Sequence, residues 1–311
     1  MKGLVLHGAN NFFTIQTEQG ATLRCSIKGK KLKDAAGVYN PLAPGDLVAI
    51  EQDPIQSGQG QILSLLERKN RFVRWNQKNA SIQLLAANID LVMCITSPAN
   101  PPFRPRFIDR VLLQAHIEHI PAVIVVNKCD LKLSDSVRSR IEDWRRIGYT
   151  VYEVSSYTGE GIQELLSAVA GSVCMLTGQS GVGKSSMLNA FYPPLALKTA
   201  CISYKYNRGT HTTTQGVFLS IPHTDTKGEK HTVHMIDTPG IRHFAVCGVR
   251  PDEVLYYFPE MEDAASQCRF GLSCSHEHEQ GCKILEKVAA GLIHPDRYAS
   301  WQLIKEELAN R

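Results

Sequence analysis

The stretch Gly178-Gln179-Ser180-Gly181-Val182-Gly183-Lys184-Ser185 matches the pattern G-x-x-x-x-G-K-[ST] at every defined position. It follows Val173–Thr177, an apolar run that reads as a buried strand, and precedes a segment that reads as a helix from Ser185 onward. The chemistry explains the spelling. Glycines let the backbone N–H groups from Gly178 through Ser186 curl around a phosphate, Lys184 reaches the outer phosphates, and the Ser185 hydroxyl suits a Mg²⁺ ion. Such a loop between a strand and a helix sets the expectation of a parallel α/β sheet.

The sequence on both sides keeps that texture. Upstream, Asp90–Thr96, Ala122–Val126 and Thr150–Val154 read as strands, alternating with helices at Arg106–His119, Ser134–Ile147 and Gly161–Val169. Downstream, Gly216–Ile221 and His231–Ile236 read as extended, giving a sheet of about six strands.

A phosphate loop does not by itself choose the nucleotide; Asn127-Lys128-Cys129-Asp130, directly after a strand, does. A carboxylate accepts from both N1–H and the exocyclic amine of guanine, whereas adenine offers an acceptor at N1 and no amine beside it. Asp130 therefore selects guanine, and Asn127 and Lys128 are expected to position the base. Val154-Ser155-Ser156-Tyr157-Thr158-Gly159 resembles the loop that supports the guanine carbonyl in small GTPases, with Ser155 and Ser156 as its contacts. Asp237-Thr238-Pro239-Gly240 follows a strand and offers a carboxylate for Mg²⁺, through water, and a Gly240 N–H for the γ-phosphate. Between them, Gly209-Thr210-His211-Thr212-Thr213-Thr214 offers a second hydroxyl for Mg²⁺, Thr213 being favoured over Thr212 by its position before a strand. GTP or GDP with Mg²⁺ is thus the expected ligand, and a kinase or ATPase is disfavoured by Asp130.

The order of these loops is rearranged. An ordinary Ras-like domain begins with the phosphate loop, whereas here N-K-x-D and the serine loop come first, so the domain is circularly permuted. The site survives, because ligands of such sheets bind where the carboxyl ends of the strands converge. The chain leaves the domain just past the loop that senses γ-phosphate, so nucleotide state is expected to steer the C-terminal segment. Ile241 stands where Ras-type enzymes carry the glutamine that orients water, so intrinsic turnover should be slow. His211 is the internal candidate for that role, the other reading being a solvated loop histidine.

Cys268-x₅-Cys274-x-His276-x₅-Cys282 collects a Cys₃His set suited to one structural Zn²⁺, with His278 a competing ligand. The nine cysteines otherwise sit mostly singly in apolar segments, which argues for thiols and a metal over disulfides. Helices are expected around the metal at Pro251–Phe258 and Arg297–Ala309.

Residues 3–66 read as five short strands (Leu4–Leu6, Phe12–Thr17, Ala21–Ile27, Asp46–Glu51 and Gln61–Leu66) separated by turns. They suggest a small barrel, an OB-fold or, with nearly the same pattern, an SH3-like one. Residues 1–78 hold 11 Lys/Arg against 6 Asp/Glu, while residues 251–311 reverse that balance. An anionic partner such as nucleic acid is therefore expected at the N-terminal end. The lysines at 28, 30, 31 and 33 and the segment Arg68–Lys78 are the candidate phosphate contacts. Arg68-Lys69-Asn70-Arg71-Phe72-Val73-Arg74-Trp75 either grips and stacks RNA or is a connector whose Phe72 and Trp75 pack into protein. No run is long and apolar enough to span a membrane, and Met1-Lys2-Gly3-Leu4 lacks the start of a signal peptide, so a cytoplasmic protein is expected.

With the permuted order, His211-Thr212-Thr213-Thr214 and the Cys₃His segment together, the chain resembles the ribosome small-subunit-dependent GTPase A family (RsgA, also called YjeQ) over essentially its whole length. That resemblance implies a GTPase acting late in maturation of the 30S subunit, stimulated by it and in contact with its 16S rRNA, with no membrane association and as a monomer. It implies His211 as the hydrolytic residue, beside Lys184 and Thr213, and Cys268, Cys274, His276 and Cys282 as zinc ligands. The family usually writes arginine where this chain has Thr210 and proline where it has Gln280, and its first cysteine gap is one residue shorter. The expected fold is multidomain: an N-terminal OB-fold β-barrel over 1–68, a linker over 69–80, a central α/β circularly permuted P-loop GTPase domain over 81–248 and a C-terminal, mainly helical zinc-binding domain over 249–311. The alternative is an RNA-binding scaffold holding GTP as a structural ligand; the missing glutamine favours it, and intact Lys184, Ser185, Thr213 and Asp237 favour an enzyme.

Overall fold

The computed structural model describes residues 1–9, 11–29, 32, 38–197, 216–224 and 228–311. Alternating apolar residues in the first five strands drive barrel closure: Val5, Phe13, Ile15, Leu23, Cys25, Val48, Ile50 and Ile62 all point inward and are buried. The strands are β1 (Lys2–Ala9), β2 (Phe12–Thr17), β3 (Thr22–Ile27), β4 (Leu47–Gln52) and β5 (Gln59–Leu65). They close in the order β1-β2-β3-β5-β4, with β3 and β5 parallel and β4 returning to β1. This is the OB-like of the two expected barrels.

The basic stretch after the barrel folds inward. Arg68 makes a two-pronged ion pair with the fully buried Asp46, at 2.6 and 2.8 Å, and Lys69 pairs with Asp90 at 2.5 Å. Residues read as a linker carry strand β6 (Arg71–Asn76), which pairs antiparallel with β7 (Ser81–Ala87). Phe72 is fully buried and Trp75 packs beside Val73 and Leu84, as in the connector reading.

Beyond the hairpin lie six strands in the order β10-β9-β8-β11-β13-β12, namely Val151–Glu153, Ala122–Val126, Leu91–Thr96, Val173–Gly178, Lys230–Asp237 and Val217–Thr224. All neighbours are parallel except β12 on β13. Because side chains alternate, the central strands feed two cores. Val92, Cys94, Ile124 and Val126 meet α1 (Pro105–Ile117) and α2 (Asp135–Arg146) on one face. Met93, Ile95, Val125 and Leu176 meet α3 (Ile162–Ala168) and α4 (Lys184–Phe191) on the other.

The C-terminal part continues the first of these cores. Instead of one helix over Pro251–Phe258, a short 3₁₀ turn at Val254–Tyr257 precedes α5 (Pro259–Ala265), because Pro259 suits the first position of a new helix and not the interior of an old one. Helices α6 (Lys283–Ala289) and α7 (Pro295–Ala309) follow. A buried ionic hub joins α7 to α1 and α2: Asp109 on α1 accepts from Arg140 at 2.9 Å, Arg297 at 2.9 Å and Ser300 at 2.6 Å. Each arginine keeps a second carboxylate, Asp143 for Arg140 and Glu260 for Arg297, and Arg146 also pairs with Asp143, so three guanidiniums face three carboxylates.

Candidate nucleotide-binding site

The phosphate loop leaves the carboxyl end of β11 between β8 and β13, at the centre of the sheet. Gly183 shows why its sequence is constrained. Its φ of +97° favours glycine, and a Cβ there would lie 2.3 Å from the Asn127 amide nitrogen. Among the described residues, none accepts a hydrogen bond from the N–H groups of Ser180, Gly181 or Gly183, a set of donors turned to the loop's own hollow. Lys184 is buried, its ammonium held by the carbonyls of Gly178 at 3.0 Å and Gln179 at 3.3 Å. Burial pushes its pKa down, and the neighbouring Asp237 carboxylate works the other way. Ser185 sits at the start of α4 and Asp237 at the end of β13, both buried, beside that lysine. A hydroxyl and a carboxylate flanking a phosphate cradle are the donor set a Mg²⁺ ion takes.

The guanine loops are tied to the phosphate loop by side chains. The fully buried Asn127 donates to the Val182 carbonyl at 2.9 Å and accepts from the Ser156 N–H at 2.9 Å. Lys128, at φ +67°, donates to the carbonyls of Asn100 and of Gly181, the latter at 2.7 Å. Asn127 and Lys128 thus hold three loops in register. Asp130 is exposed, with one carboxylate oxygen held by the Ser155 hydroxyl at 2.5 Å. The Cys129 thiol is half-buried, its pKa pushed up to about 11 chiefly by burial, and donates to the Val126 carbonyl at 3.1 Å.

Gly240 packs closely on the phosphate loop, where a Cβ would stand 3.0 Å from the Ser180 backbone. Thr238 anchors that loop by donating twice to Leu176, and the buried Ile241 donates from its N–H to Gly178 at 3.3 Å. His211, Thr210 and Thr212 to Thr214 lie outside the described residues, as do the lysines at 30, 31 and 33. The sequence reading missed the Ser97–Pro102 loop, which covers Lys128 and Gly181; its signal was a proline-rich run directly after a buried strand.

A second cluster lies in the C-terminal part. The Cys268 and Cys282 sulfurs are 3.9 Å apart, and each lies 3.5 Å from His276 Nδ1. The four ligand atoms, with that of Cys274, all fall within 4.8 Å of one another. A tetrahedral ion about 2.3 Å from sulfur and about 2.0 Å from nitrogen sets S···S edges of about 3.8 Å and S···N edges of about 3.5 Å, so the cluster could hold zinc without rearrangement. His278 is exposed and stands outside it.

With these loops in place, the comparisons with known proteins are decisive. The family model described as RsgA GTPase matches residues 65–247. The chain belongs to the RsgA GTPase family. It is 35% identical over 312 residues to the small ribosomal subunit biogenesis GTPase RsgA of Bacteroides fragilis, covering 99% of this chain and 97% of that one. The protein of the same name from Gemmatimonas aurantiaca is 34% identical, covering 99% and 98%. Among solved structures, YjeQ from Thermotoga maritima superposes with a TM-score of 0.67 at 28% identity, covering 100% of this chain and 99% of that one. YloQ, a circularly permuted GTPase, shares the fold at a TM-score of 0.65 and 23% identity, covering 100% and 95%. Family membership makes this RsgA-type chain a GTP hydrolase and sets aside the scaffold alternative. Among the described residues no helix is long and apolar enough to cross a membrane.

Proposed function

We propose that this protein binds GTP across the loops at the carboxyl end of its sheet and hydrolyses it to GDP and phosphate in contact with the small ribosomal subunit, assisting late assembly of that subunit in the cytoplasm. The observation that carries the reading is the Asn127 bridge, which joins the guanine-selecting loop, the serine loop and the phosphate loop into one pre-set site. In this reading Asp130 reads the base, the N–H groups of Ser180 to Ser186 and Lys184 hold the phosphates, and Gly240 senses the γ-phosphate. Ser185, Thr213 and Asp237 would hold Mg²⁺, which supplies charge neutralisation of the β- and γ-phosphates when bound. Ile241 is apolar and buried, so it cannot orient water; His211 takes that role once the subunit orders its loop. Cys268, Cys274, His276 and Cys282 hold one structural Zn²⁺, which staples a segment with a small core of its own. The protein acts as a monomer, and 16S rRNA is its contact.

The test is GTP turnover of the purified protein with and without small subunits, in wild type, Lys184→Ala and His211→Ala. Slow turnover that rises with subunits, disappears in Lys184→Ala and loses its stimulation in His211→Ala is the expected result. Stimulation unchanged in His211→Ala while GTP remains bound would remove that histidine from the mechanism.

A further inference from the structure

A cavity of about 460 Å³ opens between the start of α1 and the segment that follows Gly240. Its walls carry Arg104, Arg106, Arg110, Arg242 and His243, against one carboxylate, Asp296. Among the described residues only two of these guanidiniums have acidic partners: Arg110 pairs closely with Glu307 at 2.6 Å, and Arg106 loosely with Asp296 at 3.8 Å. Arg104 and Arg242 have none and are exposed. The site also reaches Gln179 of the phosphate loop, a side chain more than nine-tenths buried whose amide makes no hydrogen bond to a described residue. Uncompensated like charges around a shared hollow repel one another, and an anion entering it removes that cost.

We infer that this cavity is a docking pocket for the phosphodiester backbone of an RNA strand, gripped by Arg104, Arg106 and Arg242. The inference rests on the reading of the small subunit as partner, and adds the place where that partner meets the nucleotide switch. The residue choice favours phosphate: the basic side chains lining the cavity are arginines and a histidine, with no lysine, and the planar guanidinium fork matches two phosphate oxygens at once. The position gives the contact a consequence. Arg242 lies two residues past Gly240, and Gln179 is the second residue of the phosphate loop, so a strand seated here bears on both loops that face the γ-phosphate. RNA contact and turnover become coupled through one pocket.

The full-length protein, loaded with a non-hydrolysable GTP analogue, is titrated onto purified small ribosomal subunits across a salt series. Each phosphate contact contributes about 0.7–0.9 to the slope of log affinity against log salt, so Arg104→Gln/Arg242→Gln should flatten that slope by about 1.4–1.8 and weaken binding at least about tenfold. Affinity for GDP and the thermal midpoint should stay at wild-type values, and Arg104→Lys/Arg242→Lys should keep most of the slope. Equal slope and affinity in wild type and the glutamine variant would overturn the proposal while leaving the subunit as partner. A weaker affinity with an unchanged slope would also overturn it, since an uncharged contact would then fill the pocket. Failure of the wild type to bind subunits at all would instead sink the functional reading on which it stands.

Discussion

Replacing Asn127 by alanine tests whether the site is pre-set by side-chain clamps. The substitution removes two hydrogen bonds of 2.9 Å, one to the Val182 carbonyl and one from the Ser156 N–H, at a fully buried position. Each is worth about 0.5–1.5 kcal/mol net, and leaving their partners unpaired adds about 1–3 kcal/mol for a buried group. A total of about 2–6 kcal/mol, expressed in nucleotide affinity, weakens binding from about 30-fold to about 10⁴-fold. GDP and GTP should lose affinity equally, because the bridge joins the base and β-phosphate loops and does not reach the γ-phosphate side. The assay is titration with a fluorescent GDP and a fluorescent non-hydrolysable GTP analogue. Asn127→Asp should be as damaging, since a carboxylate oxygen would face the Val182 carbonyl. Affinities within threefold of wild type would refute the clamp.

Four further outcomes are expected. Asp130→Asn should shift preference from guanine to xanthine nucleotides, because the amide offers a donor where the carboxylate accepted; competition binding with unchanged guanine preference would contradict this. Asp109→Ala removes the anion between two buried arginines that each keep one carboxylate, so stability should fall by about 3 kcal/mol and the thermal midpoint by about 5–10 °C, with a shift under about 2 °C counting against the hub. His7, His234 and His294 are each held below the ordinary imidazole value by burial, so the unfolded chain takes up protons first; stability is complete above about pH 6.5 and falls as pH drops through that value, a slope His7→Gln should reduce. Hydrogen exchange in residues 241–247 and in the C-terminal helices should differ between GDP and a GTP analogue when subunits are present, and identical exchange in both states would end the idea that nucleotide state steers the C-terminal part.

Where the chemistry lies in contiguous residues, it was legible in the sequence. The phosphate loop, N-K-C-D, the serine loop and D-T-P-G each follow a strand that reads as apolar, and the order of those strands in the sheet brings all four to one edge. The unbroken apolar run Leu91–Ile95 likewise fits a strand covered on both faces, as Val92 and Cys94 on one side and Met93 and Ile95 on the other are. What the sequence hid is long-range pairing of charge. Arg68 reads as a hand for RNA until Asp46, 22 residues earlier, is found buried beside it. Arg297 reads as one surface arginine of a helix until it reaches Asp109, 188 residues away. Local pattern carries no information on which carboxylate closes such a pair, so the β6–β7 hairpin and the docking of α7 could only be seen in three dimensions.

The permutation has a mechanical consequence that these pairings sharpen. Residues that follow Gly240 do not leave the domain as a free tether. Phe244 is fully buried between Phe72 of the hairpin, at 5.8 Å, and Phe107 of α1, at 6.4 Å. The Ala245 carbonyl accepts from the Trp75 N–H at 2.9 Å, the Cys247 N–H donates to Gln114 at 2.9 Å, and Arg311 reaches the Val246 carbonyl while lying over the Trp75 ring. A displacement at Gly240 therefore meets the barrel-side hairpin, α1 and Arg311 within seven residues. Close-packed aromatics pass on such a shift and do not absorb it. Because Asp109 also locks α7 to α1, the hairpin, α1 and the last helix are all joined to the residues that follow Gly240.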